Sequence, residues 1–245
     1  MSGSKGATFR FLPEDCIFDV AGSSLFANEK YKNLDYLLGL LNSPLVYYAL
    51  DCLNPTVSTQ VGDIKRIPFV LPNQQQEETV TRLVKECVRI KKSLCETSLV
   101  EMNFETPAII PGKDVISVLS DFFIQENAKK TIIILNETVI NRTIFDVYNL
   151  NDNDKKMVID KEGSLLGLLP VSDTARTAFI KWVTASRYQI APEVLSIIES
   201  LPIASESSIN DFDILYQSHN DWEEFCIQHK MNPVEVWWQF KNAGI

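Results

Sequence analysis

Hydrophobic and polar positions alternate at the start of this chain and then settle into a helical repeat. ATFRFL at 7–12 alternates after Ala7, and CIFDV at 16–20 does the same. Strict alternation is the signature of a strand with one face buried, and Pro13-Glu14-Asp15 between the two runs reads as a turn. The pattern predicts a small N-terminal β-hairpin, with AGSS at 21–24 as the next turn. From Lys32 the spacing turns helical through NLDYLLGLLN. Ser43 then stands as an N-cap, with Pro44 at the first helical position before LVYYALDCL. NPTVSTQVGDI reads as an irregular loop, and IPFVLP as a short strand or extended run bounded by prolines.

Residues 77–95 carry the clearest helical pattern. Val80, Leu83, Val84, Cys87, Val88 and Leu94 share one face, while Arg82, Lys85, Arg89 and Lys92 form a stripe on the other. Such a stripe is either a solvated face or a rail facing phosphates. Residues 98–114, with Pro107 and Pro111-Gly112, read as a linker. The stretch from Asp114 to Leu150 reads as a long helix or helix pair. The β-branched run Thr131–Ile134 also suits a strand, but Leu135, Val139 and Ile140 continue the helical period. NDNDKK at 151–156 is expected to break the chain. Helices are predicted near 173–186 and 191–200, a loop at ASESS, and two final helices. Asn220 with Glu223 resembles a capping box before the first of these, and Asn232-Pro233 starts the second. The expected fold class is therefore α+β, predominantly helical: a small hairpin region followed by helical domains, divided at 1–100, 101–160 and 161–245.

Charge changes this picture by locating any nucleic-acid surface. Of the 23 Lys+Arg and 32 Asp+Glu, residues 1–100 hold 11 of each, so the remainder carries the whole net charge of -9. An acidic remainder repels phosphate, so a surface for nucleic acid is expected only in the first hundred residues. No apolar run approaches the roughly 20 residues of a membrane span, and the start has no apolar stretch like that of a signal peptide, so a cytoplasmic location is expected. Five scattered cysteines without CxxC spacing suggest neither a disulfide framework nor a zinc knuckle.

Candidate chemistry is sparse. The nine glycines never form GxG, so the Gly-rich turn that a nucleotide or S-adenosylmethionine site needs is not seen, and no cofactor is expected in this chain. His219, Cys226 and His229 read either as metal ligands or as packed side chains. The apolar face formed by Trp222, Phe225, Cys226 and His229 favours packing, so no metal site is expected. Trp237, Trp238 and Phe240 suit base stacking less well than a core or an interface. NPT at 54–56 begins like the Asn-Pro-Pro-aromatic pocket of an amino-methyltransferase, but Thr56 and Val57 supply no ring to stack on a flipped base.

Taken in order, FRFLPEDCIFDVAGSSLF, YLLGLLNSPLVYYAL, NPTVSTQVGDIKRIPF, the CVRIKKS helix and Glu96-Thr97 form a series. It resembles the region that follows the catalytic domain in large adenine-specific DNA methyltransferases of the BREX phage-defence type and in fused type IIG restriction-modification enzymes. The resemblance covers about residues 5–100 and extends weakly to NETVINRTIFDVYNLND, and Val57-Ser58-Thr59 departs from the family's Leu-Asn-Phe. It implies a target-recognition and connector module with no catalytic residue of its own. The S-adenosylmethionine chemistry would lie in a separate methyltransferase domain. The implied partners are double-stranded DNA, that catalytic domain and other defence-system subunits, with no membrane. The candidate DNA contacts are Arg10, Lys30, Lys32, Lys65 and Arg66, with Ser23, Ser24 and Gln60 as loop donors. An acidic, aromatic-rich C-terminal part is equally what a protein-docking module would show.

Overall fold

The computed structural model describes residues 8–13, 16–18, 22–56, 59–97, 100–101, 104–105, 114–168, 173–186 and 188–202. Within them the chain is helical, in the order α1 (Leu34–Leu41), α2 (Pro44–Leu53), α3 (Val61–Arg66), α4 (Gln74–Cys95), α5 (Val115–Val147), α6 (Asp152–Glu162), α7 (Asp173–Ser186) and α8 (Pro192–Ser200). None of the described residues forms a strand. None of their helices is long and apolar enough to cross a membrane. The predicted loop and helices beyond residue 203 lie outside the described residues.

The expected α+β class is overturned at the N-terminus, while the predominantly helical part holds. Residues 8–13 and 16–18 have no regular structure; Phe11, Leu12 and Phe18 are exposed and Ile17 is 98% exposed, while Phe9 is half-buried. A two-stranded ribbon is marginal unless one face is buried on something, and most of the apolar side chains described here stay exposed. Its backbone finds a different partner at Phe9. The Asn42 side chain accepts from the Phe9 N–H and donates to the Phe9 carbonyl, both at 3.0 Å. One amide thus makes the paired bonds a neighbouring strand would have made. IPFVLP likewise runs irregularly, without strand pairing.

Capping chemistry sets the helix ends. Asn33 accepts from the Tyr36 N–H at the start of α1, and Ser43 accepts from the Val46 N–H at the start of α2, with Pro44 needing no N–H there. Asn73 and Gln76 bond reciprocally, side chain to backbone, and this starts α4 at Gln74. The run Thr131–Ile134 is helical. The Thr131 hydroxyl donates to the Asn127 carbonyl at 2.8 Å, and Ile132, Ile133, Ile134 and Leu135 are all buried, so burial outweighs their β preference. The expected break at NDNDKK is confined to its first residue. Asn149 takes a left-handed φ of 51°, and Asn151 then caps α6 by accepting from the Asp154 N–H. Asp152 and Asp154 in the first turn favour that helix start electrostatically.

The chain divides into two compact units: Met1–Val88 with Val139–Glu162, and Arg89–Thr138 with Gly163–Ile245. In the first, Tyr36, Leu40, Val46, Val80, Leu83 and Ile144 form the buried core. Lys161 of α6 pairs with Asp51 of α2 and lies over the Tyr48 ring, 5.1 Å from its centroid. In the second, the Gly167 N–H donates to the buried Thr138 hydroxyl, Val194, Ile197 and Ile198 bury the inner face of α8, and Arg89 donates to the Tyr188 hydroxyl.

Gly39 is a point of close approach between α1 and α4. A Cβ there would stand 2.9 Å from both Val80 Cγ1 and Val84 Cγ2. Gly39→Ala gains up to about 1 kcal/mol of helix propensity, but forcing apart two stiff valines costs about 1–3 kcal/mol. The substitution should therefore destabilise the protein, as read by chemical denaturation. An increase in stability would show that α1 and α4 have room to separate.

Candidate nucleic-acid interface

The turn before α1 is built by asparagines. Asn28 accepts from the Lys30 and Tyr31 N–H groups at 2.9 and 3.0 Å, folding the chain back on itself. The Tyr31 hydroxyl donates to Glu77 at 2.8 Å, and the Asn33 amide donates to the same carboxylate oxygen at 2.9 Å and to the Thr81 hydroxyl at 2.8 Å. Burial first, and then the bond to Glu77 and its charge, push the Tyr31 phenol well above its ordinary range, which keeps it a donor. The result is a turn pinned to α4, with Lys30 and Lys32 exposed on either side of Tyr31.

The NPT block is pinned in a similar way. The Asn54 side chain accepts from the backbone N–H and hydroxyl of Thr56, and its amide donates to Asp63 at 2.7 Å. Asp63 also accepts from the Gln60 N–H at 2.9 Å. The Asn54 bond, followed by the Gln60 bond, holds the Asp63 carboxyl below the usual carboxylate range. These bonds close the entry to α3, so VGDIKR is helical where the sequence suggested continued loop. Lys65 and Arg66 fall in its last turn, exposed, where cations suit the helix dipole.

An aromatic cluster joins the two segments. The Phe69 ring, just past α3, packs edge-on against Tyr31 at 5.0 Å and Tyr36 at 6.4 Å, and Tyr31 meets Tyr36 at 6.2 Å. Lys30 and Lys32 are thereby brought to the same cluster as the segment carrying Lys65 and Arg66. Gln60 sits at the N-cap of α3 and takes part in its closure through its backbone. Arg10 and Ser23 are exposed and Ser24 is half-buried, in the irregular N-terminal segment. The aromatic cluster has no sequence signature, because Tyr31, Tyr36 and Phe69 follow no common period.

The basic stripe of α4 is engaged within the protein. Lys85 pairs with Asp35 at 3.6 Å, and Arg89 lies over the Tyr188 ring at 5.7 Å to its centroid. Among the described residues no group of three or more His, Cys, Asp or Glu is placed to hold a metal ion. His219, Cys226, His229, Trp237, Trp238 and Phe240 lie outside the described residues.

Comparison with known proteins gives one informative likeness. A stretch of 89 residues is 26% identical to the adenine-specific methyltransferase BrxX of Escherichia coli O9:H4 (strain HS), covering 36% of this chain and 7% of that protein. The chain thus matches only a small part of that relative's length. No protein-family model matches the chain, and no solved structure does.

Two outcomes test the geometry. Because the folded state lowers the Asp63 pKa, its stabilisation is full above the ordinary carboxylate value of about 4 and is lost as pH falls through the lower folded value. Thermal unfolding of wild type and Asp63→Asn should therefore differ at neutral pH and converge in acid; a gap independent of pH would remove the carboxylate's role. The fully buried Tyr36 hydroxyl has no hydrogen-bond partner among the described residues. Tyr36→Phe should be neutral or stabilising by up to about 1 kcal/mol, whereas Tyr31→Phe should cost about 1 kcal/mol by removing the bond to Glu77. Equal losses for the two variants in denaturant titrations would contradict this assignment.

Proposed function

We propose that this chain is the non-catalytic DNA target-recognition portion of an adenine-specific DNA methyltransferase from a phage-defence or restriction-modification system. The observation that carries the reading is the 89-residue likeness to an adenine-specific methyltransferase. The two pinned basic segments, Lys30 with Lys32 and Lys65 with Arg66, around one aromatic cluster support it. In this reading the four cations neutralise phosphates and set the register of the duplex, and neighbouring polar groups read base edges. A separate catalytic domain binds S-adenosylmethionine and methylates the flipped adenine. Arg10, Ser23, Ser24 and Gln60 are the further candidate contacts.

A second reading, a module that docks subunits of such a defence complex, is favoured by two observations. The chain carries a net charge of -9, and large apolar side chains stand in solvent along the N-terminal segment, Phe26 among them at 67% exposure.

Fluorescence anisotropy of a labelled duplex at several salt concentrations separates the two. On the recognition reading, affinity falls steeply with salt, and Lys65→Gln with Arg66→Gln flattens the log–log slope by about 1.8, close to 0.9 for each phosphate that is no longer neutralised. Salt-insensitive binding, or none, would leave the docking reading.

A further inference from the structure

The segment leaving α3 carries a feature that phosphate binding does not use. Just past Lys65 and Arg66, Val70 and Leu71 stand in solvent, Leu71 72% exposed. A single exposed leucine is ordinary; the mounting of this one is not. Pro68 and Pro72 restrict the backbone on either side. The Pro68 carbonyl accepts from the Tyr148 hydroxyl at 2.7 Å, and Phe69 is held edge-on by Tyr31 and Tyr36. The tip is therefore rigidly based and apolar. Exposed cations belong to the two segments that meet at that base: Lys65 and Arg66 shortly before it in the chain, and Lys30 and Lys32 flanking Tyr31, which packs on Phe69.

An apolar tip on a segment that shares its base with exposed cations is complementary to duplex DNA in two respects at once. The cations match the phosphates, and a short aliphatic side chain matches the interior of the base stack. We infer that Leu71, with Val70 beside it, is a wedge that enters the stack of a bound duplex next to the base that is turned out. The inference rests on the recognition reading above. Turning a base out leaves a gap between its neighbours, and an apolar filler offsets part of the stacking energy given up. A rigid mounting suits that task, because a tip already ordered in the free protein loses little conformational freedom on insertion.

The test needs no knowledge of the recognised sequence, because a wedge favours any duplex whose stack is already weakened. Two labelled duplexes of one sequence, intact and with a single central A·C mismatch, are titrated with the wild-type chain and with Leu71→Ala. The wild type should bind the mismatched duplex on the order of tenfold more tightly. Leu71→Ala should bind the intact duplex with an unchanged salt slope, and its preference should shrink to within about twofold. Leu71 contributes little to the core, so unfolding curves of the two proteins should coincide. Equal binding of both duplexes by the wild type, or a preference that survives Leu71→Ala, overturns the wedge and leaves Leu71 to a protein contact. Failure of the wild type to bind either duplex at low salt overturns the recognition reading and the wedge together.

Discussion

The first unit depends on how closely α1 lies against α4. Gly39 presents no side chain where Val80 and Val84 would meet a Cβ at 2.9 Å, and Ile140 of α5 closes the same point at 3.4 Å. That approach seats the N-terminal end of α1 beside the first turns of α4. Asn33 can then reach both Glu77 and Thr81, and Tyr31 can share the Glu77 oxygen. Tyr36 is carried into the core on the same helix and offers its ring to Phe69. The two basic segments are thus fixed by an apolar packing contact that involves none of their four cations.

Electrostatics in this protein is local. A net charge of -9 would discourage association with nucleic acid if charge acted as a single total. At physiological ionic strength, however, exposed charges are screened over about 8 Å. The charge near the Tyr31–Phe69 contact is then set by its own residues, Lys30, Lys32, Lys65 and Arg66 against Glu29, Asp63 and Glu77, and not by the total. Among the carboxylates of these segments, Asp35 pairs with Lys85, while Glu77 and Asp63 are hydrogen-bonded to the Tyr31 turn and the entry of α3 and keep their charge, as does the exposed Glu29 beside Lys30.

Side-chain amides do much of the work that regular pairing would otherwise do. Asn28 folds a turn, Asn33 caps α1 and bridges to α4, Asn42 pairs with the Phe9 backbone, and Asn54 ties the NPT loop to Asp63. Asn33, Asn42 and Asn54 satisfy groups in part-buried settings, where leaving them unpaired would be costly, and Asn28 does the same for an exposed turn. Asn54, which begins a sequence like a methyltransferase pocket, has its amide engaged at both ends within the protein, by Thr56 and by Asp63 of α3.

Helices whose signals are local were legible in the sequence. The helical spacing of NLDYLLGLLN marks α1, Ser43 with Pro44 marks the start of α2, one apolar stripe marks α4, and α7 and α8 fall where the helical period predicts them, because capping and 3.6-residue spacing are properties of neighbouring residues. The four cations were also visible as residue types. The features that emerged only from the folded arrangement depend on distant partners. Alternation at 7–20 reads as a hairpin, yet a strand needs a surface to bury its apolar face, and the sequence does not say whether one is present. VGDIKR becomes a helix through a bond from Asn54, nine residues away, to Asp63. The Tyr31 turn is held from Glu77, 46 residues away. Such contacts are selected by packing across the fold, and no local period announces them.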